Sequence, residues 1–396
     1  MRCRLCANGQ LAPIISFGKM PLANSFLNRP EDREELFDLS LVFCPMCSLV
    51  QLENMVDPEF LFRDYVYFSS MSETMLAHAK DLAEELIESQ GLGANSQIVE
   101  IASNDAYLLQ NFVQRGIPVL GIDPAFNLAQ VAHAKGVPTL TEFFGDKMAD
   151  KLPKADVIIA LNVLGHVPEL ADFVRGIKKV LKPTGGCVIE VPWVKDTIEK
   201  LEVDTLYAEH CFYWSLTALI NLFKRGGLQV VKAKHFDIHG GSLRIYVTHS
   251  NAFPPTDRWG LDAIRNTEKG LGVDRLEYYR MFALQARGAI DRLRDMLADF
   301  KGQGQQIVAY GAAAKGTQLL NYLGVDSNTI DYVVDSTPAK IGKFVPGCHI
   351  EVVSPEKLGK PDKILLLAHN WANEVKSKHP GFEGKWIVPL PEPRIE

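Results

Sequence analysis

QIVEIASNDAYLLQ, residues 97–110, reads as a strand, a turn without glycine and the start of a helix. IVEIA (Ile98 to Ala102) is a nearly unbroken apolar run, as expected of a strand buried on both faces of a parallel sheet. A helix is expected over Tyr107 to Arg115, and PVLGID (Pro118 to Asp123) reads as a second strand. Working outward, DVIIALNVL (Asp156 to Leu164) and GGCVIEVP (Gly185 to Pro192) supply two further strands, and helical periodicity over Met75 to Leu92 precedes the set. Strand and helix alternate regularly, which predicts a parallel, doubly wound sheet. HGGSLRIYVTHS (His239 to Ser250) reads as a turn followed by an exposed-edge or antiparallel strand. A charged helix then runs from about Asp257 to Phe300. QIVAYGAAAKG (Gln306 to Gly316), IDYVVDSTPAK (Ile330 to Lys340) and KILLLAH (Lys363 to His369) form a second, smaller alternating unit.

The chain has 396 residues, 47% apolar and 23% charged, which excludes a disordered tail protein and a fibre. The net charge is −6 and no basic block occurs, so no nucleic-acid partner is expected. Val157 to Leu161 and Ile364 to Ala368 are among the longest apolar runs, far short of the roughly 20 residues that cross a bilayer. The opening MRCRLCANGQ has no apolar core. A cytoplasmic protein without a membrane partner is expected.

Four of the seven cysteines form two C-x-x-C pairs, Cys3 with Cys6 and Cys44 with Cys47. Such turns aim two sulfurs at one point, and four thiolates close a tetrahedral structural zinc site with no position left for catalysis. The segment between the pairs carries Pro13, Pro21 and Pro30, and irregular loops held together by the metal are expected there. Cys187, Cys211 and Cys348 are scattered and read as core residues.

The turn after the first strand separates two cofactor classes. A dinucleotide needs a glycine-rich turn for its pyrophosphate. Here the turn holds Glu100 and Asp105, which repel a diphosphate and suit a ligand bearing an ammonium and a sulfonium, such as S-adenosylmethionine. Asp123 ends the second strand, where an acidic group bonds ribose hydroxyls.

Zinc knuckles, EIASNDA, NVLGHVP, the Y-x-E-H of LYAEHC, HGGSLR and YGAAAKG occur in this order along the whole chain. In combination they resemble the zinc-containing sugar C-methyltransferases of deoxysugar and natural product biosynthesis. The resemblance implies an α/β protein of three parts, divided here as a zinc-binding domain (1–60), a class I S-adenosylmethionine domain (61–238), connecting strand and helices (239–300) and a C-terminal Rossmann-like domain (301–396). It implies methylation next to a carbonyl, through an enolate, of a nucleotide-linked 4-keto-deoxysugar or another small carbonyl compound. His210 is then the general base and Glu209 its partner or a second acid/base, while Tyr207 and His166 hydrogen-bond the sugar or the enolate. DYVYFSS adds one tyrosine, Tyr65 or Tyr67, with Tyr67 preferred. The cofactor set is Glu100, Ser103, Asn104, Asp105, Asp123 and Asn162. Arg244 and Lys315 lie near glycines that permit close approach and are the cations for a diphosphate, with Ser242 adding a hydroxyl. Asp335 and Lys340 read equally well as turn residues.

Three positions depart from the family pattern: Ala106 where glycine usually closes the loop, Ala208 inside Y-x-E-H, and His369 where an apolar residue or tryptophan is expected. With φ above zero at Ala106, strain of about 1 kcal/mol is expected, with the methyl group directed at cofactor space. These departures leave two other readings open: an enzyme that enolises a carbonyl substrate without methyl transfer (an isomerase or epimerase), and a zinc-dependent binding protein.

Overall fold

The structure is a computed structural model, and it describes residues 1–63, 65, 67–252, 258–382 and 385–396. Its centre is a seven-stranded sheet of β1 (Ile98–Ile101), β2 (Val119–Ile122), β3 (Thr139–Leu140), β4 (Ala155–Leu161), β5 (Leu181–Pro192), β6 (Leu228–Phe236) and β7 (Ser242–His249), in the order β3-β2-β1-β4-β5-β7-β6. The first five strands are parallel, and β7 runs antiparallel to both of its neighbours. The strand order reverses between β1 and β4, so their carboxyl ends open the crevice in which such sheets bind ligands. Helix Glu73–Gln90 is capped by the Ser72 hydroxyl and buries Met75, Ala79, Leu82, Ala83 and Leu86 along one face.

The HGGSLR strand is not an edge. β7 lies between β5 and β6, and Ser242 to Ile245 are buried without interruption, which an edge strand does not allow. The edge is β6, which carries Lys232 and Lys234. The division expected at 238 therefore cuts through the central sheet, which runs on to His249. The single charged helix expected from Asp257 is two helices, Arg258–Leu271 and Leu276–Gly302, and Asp257 itself lies outside the described residues.

The N-terminal part is also more regular than expected. Ala12–Pro21, Leu36–Phe43 and Val50–Leu52 form an antiparallel sheet, joined at its far side by Phe212–Tyr213. Pro13 and Pro21 are accommodated because their strand is at the sheet edge, where a missing N–H costs little. The C-terminal unit is the expected second sheet, ordered Val352–Val353, Val333–Val334, Ile307–Tyr310, Lys363–Leu366, Trp386–Val388 and Arg394–Ile395, parallel except for the last strand. One buried apolar cluster unites the three parts, with Leu41 and Phe43 from the first, Val203 and Leu206 from the second, and Leu319 and Tyr322 from the third. Among the described residues, no helix is long and apolar enough to cross a membrane.

Candidate active site

The sulfurs of Cys3, Cys6, Cys44 and Cys47 all lie within 4.8 Å of one another. Cys3 approaches Cys47 and Cys6 approaches Cys44 at 3.5 Å. A tetrahedral zinc with Zn–S near 2.3 Å needs sulfurs about 3.8 Å apart, so the four residues fit that ion. Each knuckle is closed by a backbone bond, from Ala7 N–H to the Cys3 carbonyl and from Ser48 N–H to the Cys44 carbonyl. Cys187, Cys211 and Cys348 are buried, as expected of core residues.

At the carboxyl end of β1 the chain turns through Ala102 and Asn104, both at positive φ. Asp123 braces this turn: one oxygen accepts the Asn104 N–H and the other the Ala125 N–H, each at 2.9 Å. Burial, and then the closing N–H groups working against it, leave the Asp123 pKa above the usual carboxylate range. Glu100 is fully buried, and neither of its oxygens has a partner. Burial pushes its pKa well up, and the nearby Asp123 and Asp105 add to that. Ser103 Oγ, Asp105 Oδ1 and Asn162 Oδ1 are likewise buried without partners. Unmet acceptors concentrated at one sheet edge suit a ligand rich in hydrogen-bond donors and positive charge. The acid set is not wholly uncompensated, because Lys135 Nζ reaches Asp105 at 3.2 Å and Ser70 donates to the same oxygen.

The Y-x-E-H turn forms a second cluster of buried polar groups. The His210 Nδ1–H donates to the Thr205 carbonyl at 2.8 Å, and because a carbonyl only accepts, Nε2 is the lone-pair nitrogen. That lone pair accepts the Tyr207 hydroxyl at 2.9 Å. His166 is oriented the same way, its Nδ1–H donating to the Glu209 carbonyl at 2.7 Å. The two imidazole rings are 5.0 Å apart. Burial holds both imidazoles below their usual pKa, strongly so for His210, where His166 adds to it. The Glu209 carboxyl accepts from Asn24 Nδ2 at 2.7 Å and from the Tyr65 hydroxyl at 3.5 Å, and burial pushes its pKa up to about 7.

Residues 3–62 match a zinc-binding domain of methyltransferases, residues 72–233 a methyltransferase domain, and residues 237–391 a C-methyltransferase C-terminal domain. The chain is 33% identical to C-methyltransferase NovU of Streptomyces niveus, over 99% of this chain and 96% of that protein. The chain belongs to the C-methyltransferase family. A ubiquinone biosynthesis O-methyltransferase of Rhodopseudomonas palustris is 24% identical over 43% of this chain and 67% of its own length. The magnesium protoporphyrin IX methyltransferase of Synechocystis, solved with bound SAH, overlaps 44% of this chain and 83% of its own at 12% identity and a TM-score of 0.37.

Not every expected site residue of this C-methyltransferase lies at the crevice. The tyrosine turned toward Glu209 is Tyr65. Tyr67 is 46% exposed, and its carbonyl accepts from Asn104 Nδ2 in the turn after β1. Arg244 is buried, with Nε bonded to Glu190 at 2.7 Å and a terminal nitrogen on His78, so its charge is already met inside the sheet. The Ser242 hydroxyl is spent on the Ile238 carbonyl. Neither stands ready for a diphosphate. Lys315 pairs with Glu202 at 3.4 Å and lies close enough to His210 for its charge to lower that pKa. Asp335 is a loop brace, and the Lys340 ammonium donates to the Ala312 carbonyl.

The departures from the pattern are also resolved in space. Ala106 does have positive φ, 63°, but it is fully buried and packs in the cluster of Leu82, Leu108 and Phe112, so its methyl group occupies the core and not the cofactor space. Ala208 lines a cavity of about 200 Å³ under the zinc-domain hairpin, with Met20, Leu36 and Met55. His369 bonds Asp204 at 2.9 Å.

Asn24, Lys135 and His239 were not singled out from the sequence as site residues, and Tyr65 was the less preferred of two candidate tyrosines. Asn24 lies 185 positions from its partner Glu209, and no local pattern joins them. His239, in the H-G-G turn read only for Ser242 and Arg244, has its pKa pushed down to about 4 by burial and then by Lys315.

Proposed function

We propose that this C-methyltransferase acts on the carbon next to the ketone of a nucleotide-linked 4-keto-deoxysugar, through an enolate. The observation that carries this reading is the convergence of Tyr207, His210, Glu209, His166 and Tyr65 in one cluster, with Tyr65 close enough to Asp123 for that charge to act on its hydroxyl. S-adenosylmethionine, held by Glu100, Ser103, Asn104, Asp105, Asp123 and Asn162, supplies an electrophilic methyl group on a sulfonium. The unpartnered oxygens of Glu100, Ser103, Asp105 and Asn162 favour a ligand of that chemistry. Four thiolates hold structural zinc at the N-terminus.

The Tyr207–His210 pair takes the α-proton. His210 is neutral in its buried setting and offers its Nε2 lone pair, and the Thr205 carbonyl facing Nδ1–H stabilises the imidazolium that forms. The electrons of the C–H bond pass into the enolate, whose oxygen takes the Tyr65 hydroxyl as donor when that hydroxyl leaves Glu209; His166, whose Nδ1–H is held by the Glu209 carbonyl, presents its Nε2 lone pair and accepts from a sugar hydroxyl. Glu209 positions Tyr65 and Asn24 between the zinc domain and the substrate. Lys315 is the candidate cation for the diphosphate, which it would reach by exchanging its partner Glu202.

The test is transfer of labelled methyl from S-adenosylmethionine to carbon in such a sugar, read by NMR of the product. His210→Ala is expected to cut kcat by roughly 10²–10⁴-fold with cofactor affinity retained. Turnover within tenfold of the parent in that variant removes His210 as the base.

A further inference from the structure

The segment Glu202 to Leu206 carries the carbonyl on which His210 rests, and every second residue of it is held by the C-terminal domain. Glu202 meets Lys315 Nζ at 3.4 Å. Asp204 accepts from His369 Nε2 at 2.9 Å. The Leu206 carbonyl accepts the Tyr322 hydroxyl. Between these anchors, the Thr205 carbonyl takes the His210 Nδ1–H at 2.8 Å and the Tyr213 hydroxyl at 3.2 Å. Asp204 has no exposed surface, its second oxygen has no partner, and His369 is the side chain that bonds the carboxylate.

We propose that His369 and Asp204 are positioning residues for methyl transfer, holding the Thr205 carbonyl so that His210 stays in the Nδ1–H tautomer with its Nε2 lone pair toward Tyr207. The inference rests on the reading of His210 as the base. A buried carboxylate deprived of its side-chain donor is costly, and a shift of the short 3₁₀ turn Val203–Thr205 that relieves it carries the Thr205 carbonyl along. An imidazole without that acceptor exchanges tautomers, and the form with Nε2–H offers Tyr207 no lone pair. The C-terminal domain thereby sets a base that itself belongs to the methyltransferase domain.

The experiment compares His369→Ala, His369→Gln and Tyr322→Phe in the full chain, using thymidine diphosphate-linked 4-keto-6-deoxyglucose as the probe. The readouts are kcat, the KM for S-adenosylmethionine, deuterium wash-in at the α-carbon, and the tautomer of His210 from nitrogen-15 histidine NMR. His369→Ala is expected to lower kcat and wash-in by about 10–100-fold with the cofactor KM within twofold, and to mix the His210 tautomers. His369→Gln keeps an N–H for Asp204 and is expected to recover most of the loss. Tyr322→Phe removes one anchor without removing packing and is expected to fall between the parent and His369→Ala. Parental kcat in His369→Ala, or a glutamine variant no better than alanine, overturns the proposal. So does a loss shared equally by kcat and cofactor KM. His210→Ala separates the two failures: activity there sinks the base itself, whereas inactivity there beside a fully active His369→Ala sinks only the positioning.

Discussion

Two strand–turn–helix units of this molecule share a plan and diverge in chemistry. In the central sheet, Asp123 at the end of β2 accepts the Asn104 N–H from the turn after β1 at 2.9 Å. In the C-terminal sheet, Asp335 after Val333–Val334 accepts the Ala312 N–H from the turn after Ile307–Tyr310 at 2.7 Å. Each aspartate spends its second oxygen on an N–H of its own turn, at Ala125 and at Thr337. The bracing is the same. What differs is the side chains carried by the turn. The first turn leaves Ser103 and Asp105 with unmet oxygens beside the orphaned Glu100, whereas Gly311 to Ala314 present no polar side chain and Lys315 is paired with Glu202. The repeated fold is a frame; unmet polar groups are present around the first turn, and the second turns its groups toward neighbouring domains.

The largest test of that contrast exchanges the two braces. Asp123→Ala is expected to raise the dissociation constant for S-adenosylmethionine on the order of 100-fold, about 3 kcal/mol by calorimetry. Asp335→Ala is expected to leave it within about twofold and to lower unfolding free energy by about 1–3 kcal/mol. Equal effects on the cofactor would erase the distinction. Next is the buried acid of the Y-x-E-H turn. The Glu209 pKa is raised to about 7, so the native state holds a proton that the unfolded chain releases near its ordinary value of 4.5. The resulting stability is complete below that ordinary value and is lost as pH rises through about 7. Glu209→Gln removes this loss, with an expected gain of about 2–3 kcal/mol at pH 8 and almost none at pH 4, measured by urea unfolding. Smallest are two reciprocal backbone changes. Gly311 has φ of 98°, and a Cβ there would meet Ala368 Cβ at 2.8 Å, so Gly311→Ala is expected to destabilise by about 1–2 kcal/mol. Ala106→Gly relieves positive φ but gives up a buried methyl group and frees the unfolded chain, and is expected to change stability by less than about 1 kcal/mol.

What could be read in advance follows from where each signal resides. β1 and β4 are buried on both faces, so their apolar runs announced the parallel sheet, and the cysteine pairs announced the metal because ligand spacing within a knuckle is local. Tyr65 could not be separated from Tyr67, because neither of the two residues lies in a helix or a strand and no periodicity assigns them a face. Arg244 was visible as a cation, but its neutralisation by Glu190 depends on β5 and β7 lying side by side, which the alternation pattern does not specify. The hairpin between the cysteine pairs was hidden by prolines that only an edge strand tolerates. Asn24 and His369 reach their partners from other domains, and pairing at that range leaves no trace in the neighbouring residues.

The strand Phe212–Tyr213, two residues beyond His210, pairs with Val50 and Gln51 in the sheet that the cysteine knot supports. Recombining relatives at the seam between the zinc-binding and methyltransferase regions would therefore unite halves of a ladder that evolved with different partners. A workable chimera must transplant residues 207–214 together with the first sixty, so the unit of exchange in this chain is discontinuous in sequence.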